Sequence, residues 1–220
     1  MTRYSVSSLA VLLLLGATES RAQAPDIFVP GEIRAAYESG TRSEDGYPGP
    51  AYWQNGADYE MHIRFDPESG ELVGSETITY RNESPDSLRS LVLKLMQNRY
   101  KRGSARDAAI APEDVSEGVT LTAVTLNGES LDPAPGGDRV NHFQNGNIVA
   151  IRGPVAPGST TTLSIEWHQI VNRGSHGRSG AVDSTSWFNA YFFPRIAVRD
   201  DIDGWDSTPH LGTAEFYNDF

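Results

Sequence analysis

The chain contains no cysteine, so no disulfide staples it and its stability has to come from a hydrophobic core. No apolar run approaches the roughly 20 residues that a bilayer-spanning helix requires; the run from Leu9 to Leu15 falls far short. The five histidines, His62, His142, His168, His176 and His210, never stand four apart around a glutamate, which excludes a zinc-protease helix of the His-Glu-x-x-His type. A Gly-x-Ser-x-Gly nucleophile elbow and a phosphate-cradling glycine loop are both missing. Basic residues are scarce as well, with 18 Lys and Arg against 29 Asp and Glu, and this balance makes nucleic acid and anionic lipid poor partners.

What is present begins with an address. Arg3, the apolar run Leu9 to Leu15, and Ala22-Gln23-Ala24 ahead of Pro25 form the pattern of a secretory signal peptide over residues 1–24. The expectation is an exported chain, periplasmic or extracellular, that starts near Pro25 and does not insert into a membrane. Without Arg3, Glu19 and Arg21 it carries 16 basic and 28 acidic residues, a net charge of −12.

Residues 25–56 form an extended lead-in, interrupted by Pro25, Pro30, Gly31, Gly40, Gly46, Pro48, Gly49 and Pro50, with a helical turn expected at Glu32–Tyr37 and Tyr47, Tyr52 and Trp53 as candidate anchors. From Asp58 the period becomes two. Tyr59, Met61, Ile63 and Phe65 alternate with Asp58, Glu60, His62 and Arg64, Asp66-Pro67-Glu68-Ser69-Gly70 supplies a turn, and Leu72 to Asn82 completes a hairpin. Leu88–Leu95, Val119–Leu126, Asn147–Ile151 and Thr160–Val171 are further strands, and Asn127-Gly128 is the strongest hairpin signal in the chain. Residues 97–118 make a long connection. At least six strands with little room for helix predict an all-β fold, a multi-stranded antiparallel saddle or β-sandwich over residues 57–220.

Three segments carry chemical possibilities. The basic loop Asn172 to Gly180, with Arg173, His176 and Arg178, is a surface loop or an anion contact. The acidic run Asp200 to Asp206 lacks the ligand spacing of an EF-type calcium loop, and side-chain-to-backbone hydrogen bonds in a turn are expected there. The stretch from Trp187 to Phe220 holds nine of the chain's 21 aromatic residues and ends on Glu215-Phe216-Tyr217-Asn218-Asp219-Phe220, which looks like a strand just beginning. The sheet is therefore expected to be incomplete at its C-terminal end, with an unpaired edge near Glu215–Phe220.

In that last stretch, Tyr191-Phe192-Phe193-Pro194-Arg195, Ala197-Val198-Arg199-Asp200-Asp201, Gly204-Trp205-Asp206, Leu211-Gly212 and Glu215-Phe216-Tyr217 resemble a block found in exported bacterial members of the aminopeptidase N-like zinc metallopeptidase (gluzincin) family. Weaker matches follow in order upstream: Tyr52 to Glu60, Tyr80 to Leu88, and Leu95 with Asn98 and Tyr100-Lys101. The resemblance implies a truncated N-terminal β-domain, saddle-shaped, that covers the substrate cleft of an aminopeptidase. It also implies that the zinc and the catalytic groups lie further along, so no catalytic residue and no metal ligand carries over to residues 1–220. The complete protein would remove amino-terminal residues from peptide substrates by metal-assisted hydrolysis, and this stretch alone would be inactive.

The family lends one glutamine or glutamate from this domain to the pocket for the substrate's amino terminus, several positions before the Phe-Pro pair. Asp183 is the acid in that neighbourhood and the candidate substrate-binding residue. The competing reading is a freestanding β-sandwich that binds carbohydrate or protein on an aromatic platform of Trp187, Tyr191 and Trp205.

Overall fold

The computed structural model describes residues 28–174, 178–212 and 217. The expected signal segment, His176 and most of the closing Glu215–Phe220 run lie outside the described residues. Among the described residues, eleven strands and one α-helix follow in order: α1 Gly31–Ser39, β1 Gly56–Asp66, β2 Glu71–Asn82, β3 Leu88–Lys94, β4 Thr120–Leu126, β5 Glu129–Leu131, β6 Val140–Phe143, β7 Ile148–Val155, β8 Ser159–Ile170, β9 Ser179–Ala181, β10 Trp187–Asn189 and β11 Arg195–Ile196. The helical turn expected at Glu32–Tyr37 is a nine-residue helix, bounded by Pro30 and Gly40.

The strands pair antiparallel throughout, in a five-stranded sheet of order β1-β2-β8-β4-β5, a four-stranded sheet β11-β3-β7-β6 and a two-stranded ribbon β10-β9. The fold is thus an antiparallel sandwich, not closed into a barrel, as the alternating patterns predicted. Burial alternates without a break along β2, where Leu72, Gly74, Glu76, Ile78, Tyr80 and Asn82 face inward. The matching face of β8 presents Leu163, Ile165 and Trp167. Against these the four-stranded sheet sets Leu91, Leu93, Val149 and Ile151, and together they form one core. Burying that alternating face is the main source of stability, at about 25 cal/mol per Å² of apolar surface.

The strand β3 breaks the alternation, because Leu91, Val92, Leu93 and Lys94 are all buried. Its second face is covered from far along the chain: Val92, Ile148 and Ala197 form a smaller cluster, with Trp205 packed on it. A strand covered on both faces loses its period.

Tight turns set the registers. The β4–β5 hairpin turns at Asn127 (φ 50°) and Gly128 (φ 84°), the two left-handed residues that a type I′ turn demands. The long connection after β3 holds two 3-10 turns, Met96–Tyr100 and Pro112–Asp114. Asn98, fully buried, pins it by accepting the Val119 N–H at 2.6 Å and donating to the Gly146 carbonyl at 2.7 Å. In the same way Asn55 accepts the Glu83 N–H at 2.8 Å, and Asn82 donates to the Asp86 carbonyl at 2.8 Å. The upstream phrases that resemble the peptidase family are thus, in part, buried polar pins.

Candidate functional site

Asp183 sits at the surface, in the loop between β9 and β10. The hairpin that carries it is firmly seated. Buried Ser179 places its hydroxyl 2.8 Å from Asn189 Oδ1 and 3.2 Å from Gln97 Oε1, and Gln97 Nε2 donates to the Ala190 carbonyl at 2.7 Å. Gly180 has φ 120°, and a Cβ there would run into the Gly174 carbonyl oxygen, so glycine is required. On the other strand Trp187 packs edge-on against Phe65, with ring centroids 5.0 Å apart.

At the tip, Val182 N–H donates to the Ser186 carbonyl at 2.8 Å and closes the loop. Asp183 Oδ1 accepts the Thr185 N–H at 2.8 Å and its hydroxyl at 2.9 Å. These bonds, the backbone one foremost, hold the carboxyl below the usual carboxylate range. The tip therefore presents a fixed anion that suits an ammonium or guanidinium group.

Beyond the hairpin, Tyr191 turns the chain at φ 54° into Phe192-Phe193-Pro194. Gln169 Nε2 donates to the Phe192 carbonyl at 3.1 Å, and Phe193 meets Tyr59 edge-on at 5.6 Å. The Tyr59 hydroxyl accepts the Ile196 N–H at 3.0 Å, and burial pushes this phenol up to about 12. Arg195, buried, lies 5.4 Å over the Phe193 ring. Arg199 pairs with Asp86 at 2.7 Å and stacks 5.3 Å over Trp53.

The acidic run that follows is divided among separate partners. Asp200 Oδ1 accepts the Ile202 and Asp203 N–H groups at 3.0 and 2.7 Å, the turn chemistry expected of it. Asp201 grips Arg42 of the lead-in by two nitrogens, and Arg42 stacks 4.8 Å over Tyr52. Asp206 forms an ion pair with Lys94 of β3. Tyr52 and Trp53 therefore anchor the lead-in through cations, while Tyr47 stays exposed.

His62 points outward on β1, His142 contacts the Pro133 carbonyl at 2.9 Å, and His210 is half-buried, its pKa lowered by that burial. Among the described residues no three His, Asp or Glu side chains converge as a metal site requires. The aromatic platform does not assemble either. Trp187 packs beside Phe65 and Trp205 beside Tyr80, with centroids 6.0 Å apart in the second pair. In the β1–β2 ladder Phe65 faces Leu72 whereas Tyr80 faces Ala57. The two indoles are thus about eight residues apart along the sheet, roughly 26 Å.

One chemically loaded residue lies outside every motif in the sequence. Glu76 is 3% exposed, opposite Met61 on one side and Ile165 on the other, and neither carboxyl oxygen has a hydrogen bond among the described residues. Burial pushes its carboxyl up to about 8. A signal for it exists all the same: Glu76 has the same parity as Leu72, Ile78 and Tyr80.

No protein-family model matches the chain, and no curated protein matches it. Among solved structures, an M1 zinc metallopeptidase from Deinococcus radiodurans, a mutant bound to a Tyr-Ser-Ala substrate, is similar at 18% identity over 65% of this chain and 26% of that one, with a TM-score of 0.37. A second structure, of M1 zinc metallopeptidase from the same organism, is similar at 18% identity over 60% of this chain and 24% of that one, with a TM-score of 0.35. The chain spans about a quarter of the length of these two structures.

Proposed function

We propose that this chain provides the N-terminal, cleft-covering β-domain of an exported zinc-dependent aminopeptidase whose metal and catalytic groups are encoded beyond Phe220. The observation that carries the reading is the succession of sequence phrases from Tyr191 to Tyr217, which resembles the family block and whose Phe192, Phe193 and Trp205 pack against the core. The described residues do not fit a zinc site, so no catalytic step is assigned to them. Their contribution is to wall the cleft and to offer a polar group to the substrate. Asp183 suits the second of these roles, because its turn is fixed, its carboxylate is ionised, and it faces solvent.

The test is to extend the chain. The reading expects a His-Glu-x-x-His codon run downstream of Phe220, hydrolysis of aminoacyl p-nitroanilides by the extended protein, and no hydrolysis by residues 1–220. A stop codon directly after Phe220 in a well-assembled genome, or tight stoichiometric zinc on the 220-residue chain, would contradict it. In the extended enzyme, Asp183→Ala is expected to raise KM about tenfold with kcat nearly unchanged, as loss of a ground-state contact does. An unchanged KM would remove Asp183 from the site while leaving the domain reading intact.

A further inference from the structure

The sheet edges differ greatly in length. The five-stranded sheet ends on one side in β5, with three residues, and the four-stranded sheet ends in β6 and β11, with four and two. Short edges offer little for another chain to pair with. The other edge of the five-stranded sheet, β1, runs for 11 residues, and its register against β2 is unbroken from Gly56↔Arg81 to Asp66↔Glu71. It contains no proline, no lysine and no bulge, three devices by which proteins blunt an edge. Among the described residues, nothing bonds to the outward backbone groups of residues 57–65.

The order of side chains along this edge is self-complementary. On the outer face come Asp58 and Glu60, then His62 and Arg64; on the inner face come Ala57, Tyr59, Met61, Ile63 and Phe65. When two copies of β1 run antiparallel about a two-fold axis at Met61, Asp58 faces Arg64 of the second copy and Glu60 faces its His62. On the inner side, Tyr59 faces Ile63 and Ala57 faces Phe65. Moving the axis to Glu60 opposes two glutamates, and moving it to His62 opposes Asp58 to Asp66. A register offset by a single residue would set inner side chains against outer ones. A two-fold axis normal to the sheet keeps both cores on the same side.

The charges are available for this. Glu60 and His62, 3.8 Å apart within the chain, keep side-chain exposures of 82% and 80%, and Asp58, paired within the chain to Arg81, remains 72% exposed. Ile63, 41% exposed at the edge, would gain cover. Charges placed only to keep an edge solvated need no antisymmetric order. We propose that β1 is a homodimerisation edge: two copies of this chain join their five-stranded sheets antiparallel about Met61, in the manner of strand addition.

The experiment exploits the absence of cysteine. In the proposed register the two Met61 Cα atoms lie about 4.5–5.5 Å apart, within disulfide range. The Ala57 pair lies roughly 26 Å apart. Mild oxidation of Met61→Cys should give a covalent dimer, and Ala57→Cys should not. In sedimentation equilibrium the unmodified chain should dimerise with rising concentration. Arg64→Asp should weaken association by roughly tenfold or more, since it sets two carboxylate pairs face to face. Asp58→Arg combined with Arg64→Asp should restore it. A chain that stays monomeric over the whole range overturns the proposal. So does cross-linking at Ala57 that matches Met61, or a dimer indifferent to both charge variants. A thermal unfolding transition retained in each variant excludes misfolding as the cause.

Discussion

Glu76 on the five-stranded sheet and Lys94 on the four-stranded sheet are both buried, yet only Lys94 is given a counter-charge. Around Glu76 the chain is a continuous ladder, with β1 on one side and β8 on the other, and no ion pair reaches the carboxyl among the described residues. Lys94 is served by Asp206, which arrives on residues 195–206, a segment with almost no ladder of its own beyond β11. Where backbone pairing and apolar burial hold the chain, one orphan acid is tolerated as a protonated carboxylic acid. Where pairing is sparse, side chains do the fastening: Asp201 to Arg42, Asp206 to Lys94, Arg199 to Asp86, and Tyr59 to the Ile196 N–H.

The sharpest way to break this contrast is at Glu76. Its carboxyl titrates near 4.5 when unfolded and about 8 when folded, so the folded state holds the extra proton between those values. Stability attributable to this group is therefore full below about pH 4.5 and falls as pH rises to about 8, by on the order of 5 kcal/mol. Glu76→Gln should remove that slope. Denaturant unfolding at pH 5 and pH 8.5 should show the variant close to wild type at the first and several kcal/mol more stable at the second. Parallel curves would mean that Glu76 has a partner.

Asp206→Asn comes next. It leaves the Lys94 ammonium buried without its carboxylate, and a loss of about 3 kcal/mol is expected from chemical denaturation. Lys94→Met combined with Asp206→Leu should recover most of this, because an apolar pair of similar volume needs no counter-charge. Gly180→Ala should cost about 2 kcal/mol or more, concentrated in the β9–β10 hairpin, and limited proteolysis should detect cleavage there first. Tyr59→Phe should be mildest, about 1 kcal/mol, for the lost acceptor of the Ile196 N–H. If Tyr59→Phe costs as much as Asp206→Asn, charge pairing is not what fastens the segment.

Period-two patterns make β1, β2, β4 and β8 legible in the sequence, together with the turns at Asp66–Gly70 and Asn127-Gly128, because each of these strands buries one face only. Leu91, Leu93 and Leu95 make β3 legible as a strand too, but they do not show that its second face is covered by Ala197 and Trp205, residues that no local window contains. The strands β6, β9, β10 and β11, of two to four residues, are too short to carry a period. Glu76 escapes a sequence reading because an acid is normally assigned to the solvent, although its parity puts it inside. At the candidate site, sequence places Asp183 in a loop but cannot show that its carboxylate accepts the Thr185 N–H. The platform of Trp187, Tyr191 and Trp205 suggests itself because proximity along the chain hides the distance between Phe65 and Tyr80 on the sheet.

Native-state hydrogen exchange on the wild-type chain and on Asp206→Asn tests most directly whether residues 195–206 are fastened by side chains and the five-stranded sheet by its ladder. The amides of Ala197, Asp200 and Asp206, each bonded to a backbone carbonyl, should lose protection by about a hundredfold in the variant, while β2 and β8 amides that exchange by local opening keep theirs. Equal acceleration in both regions, or none in residues 197–206, would contradict it.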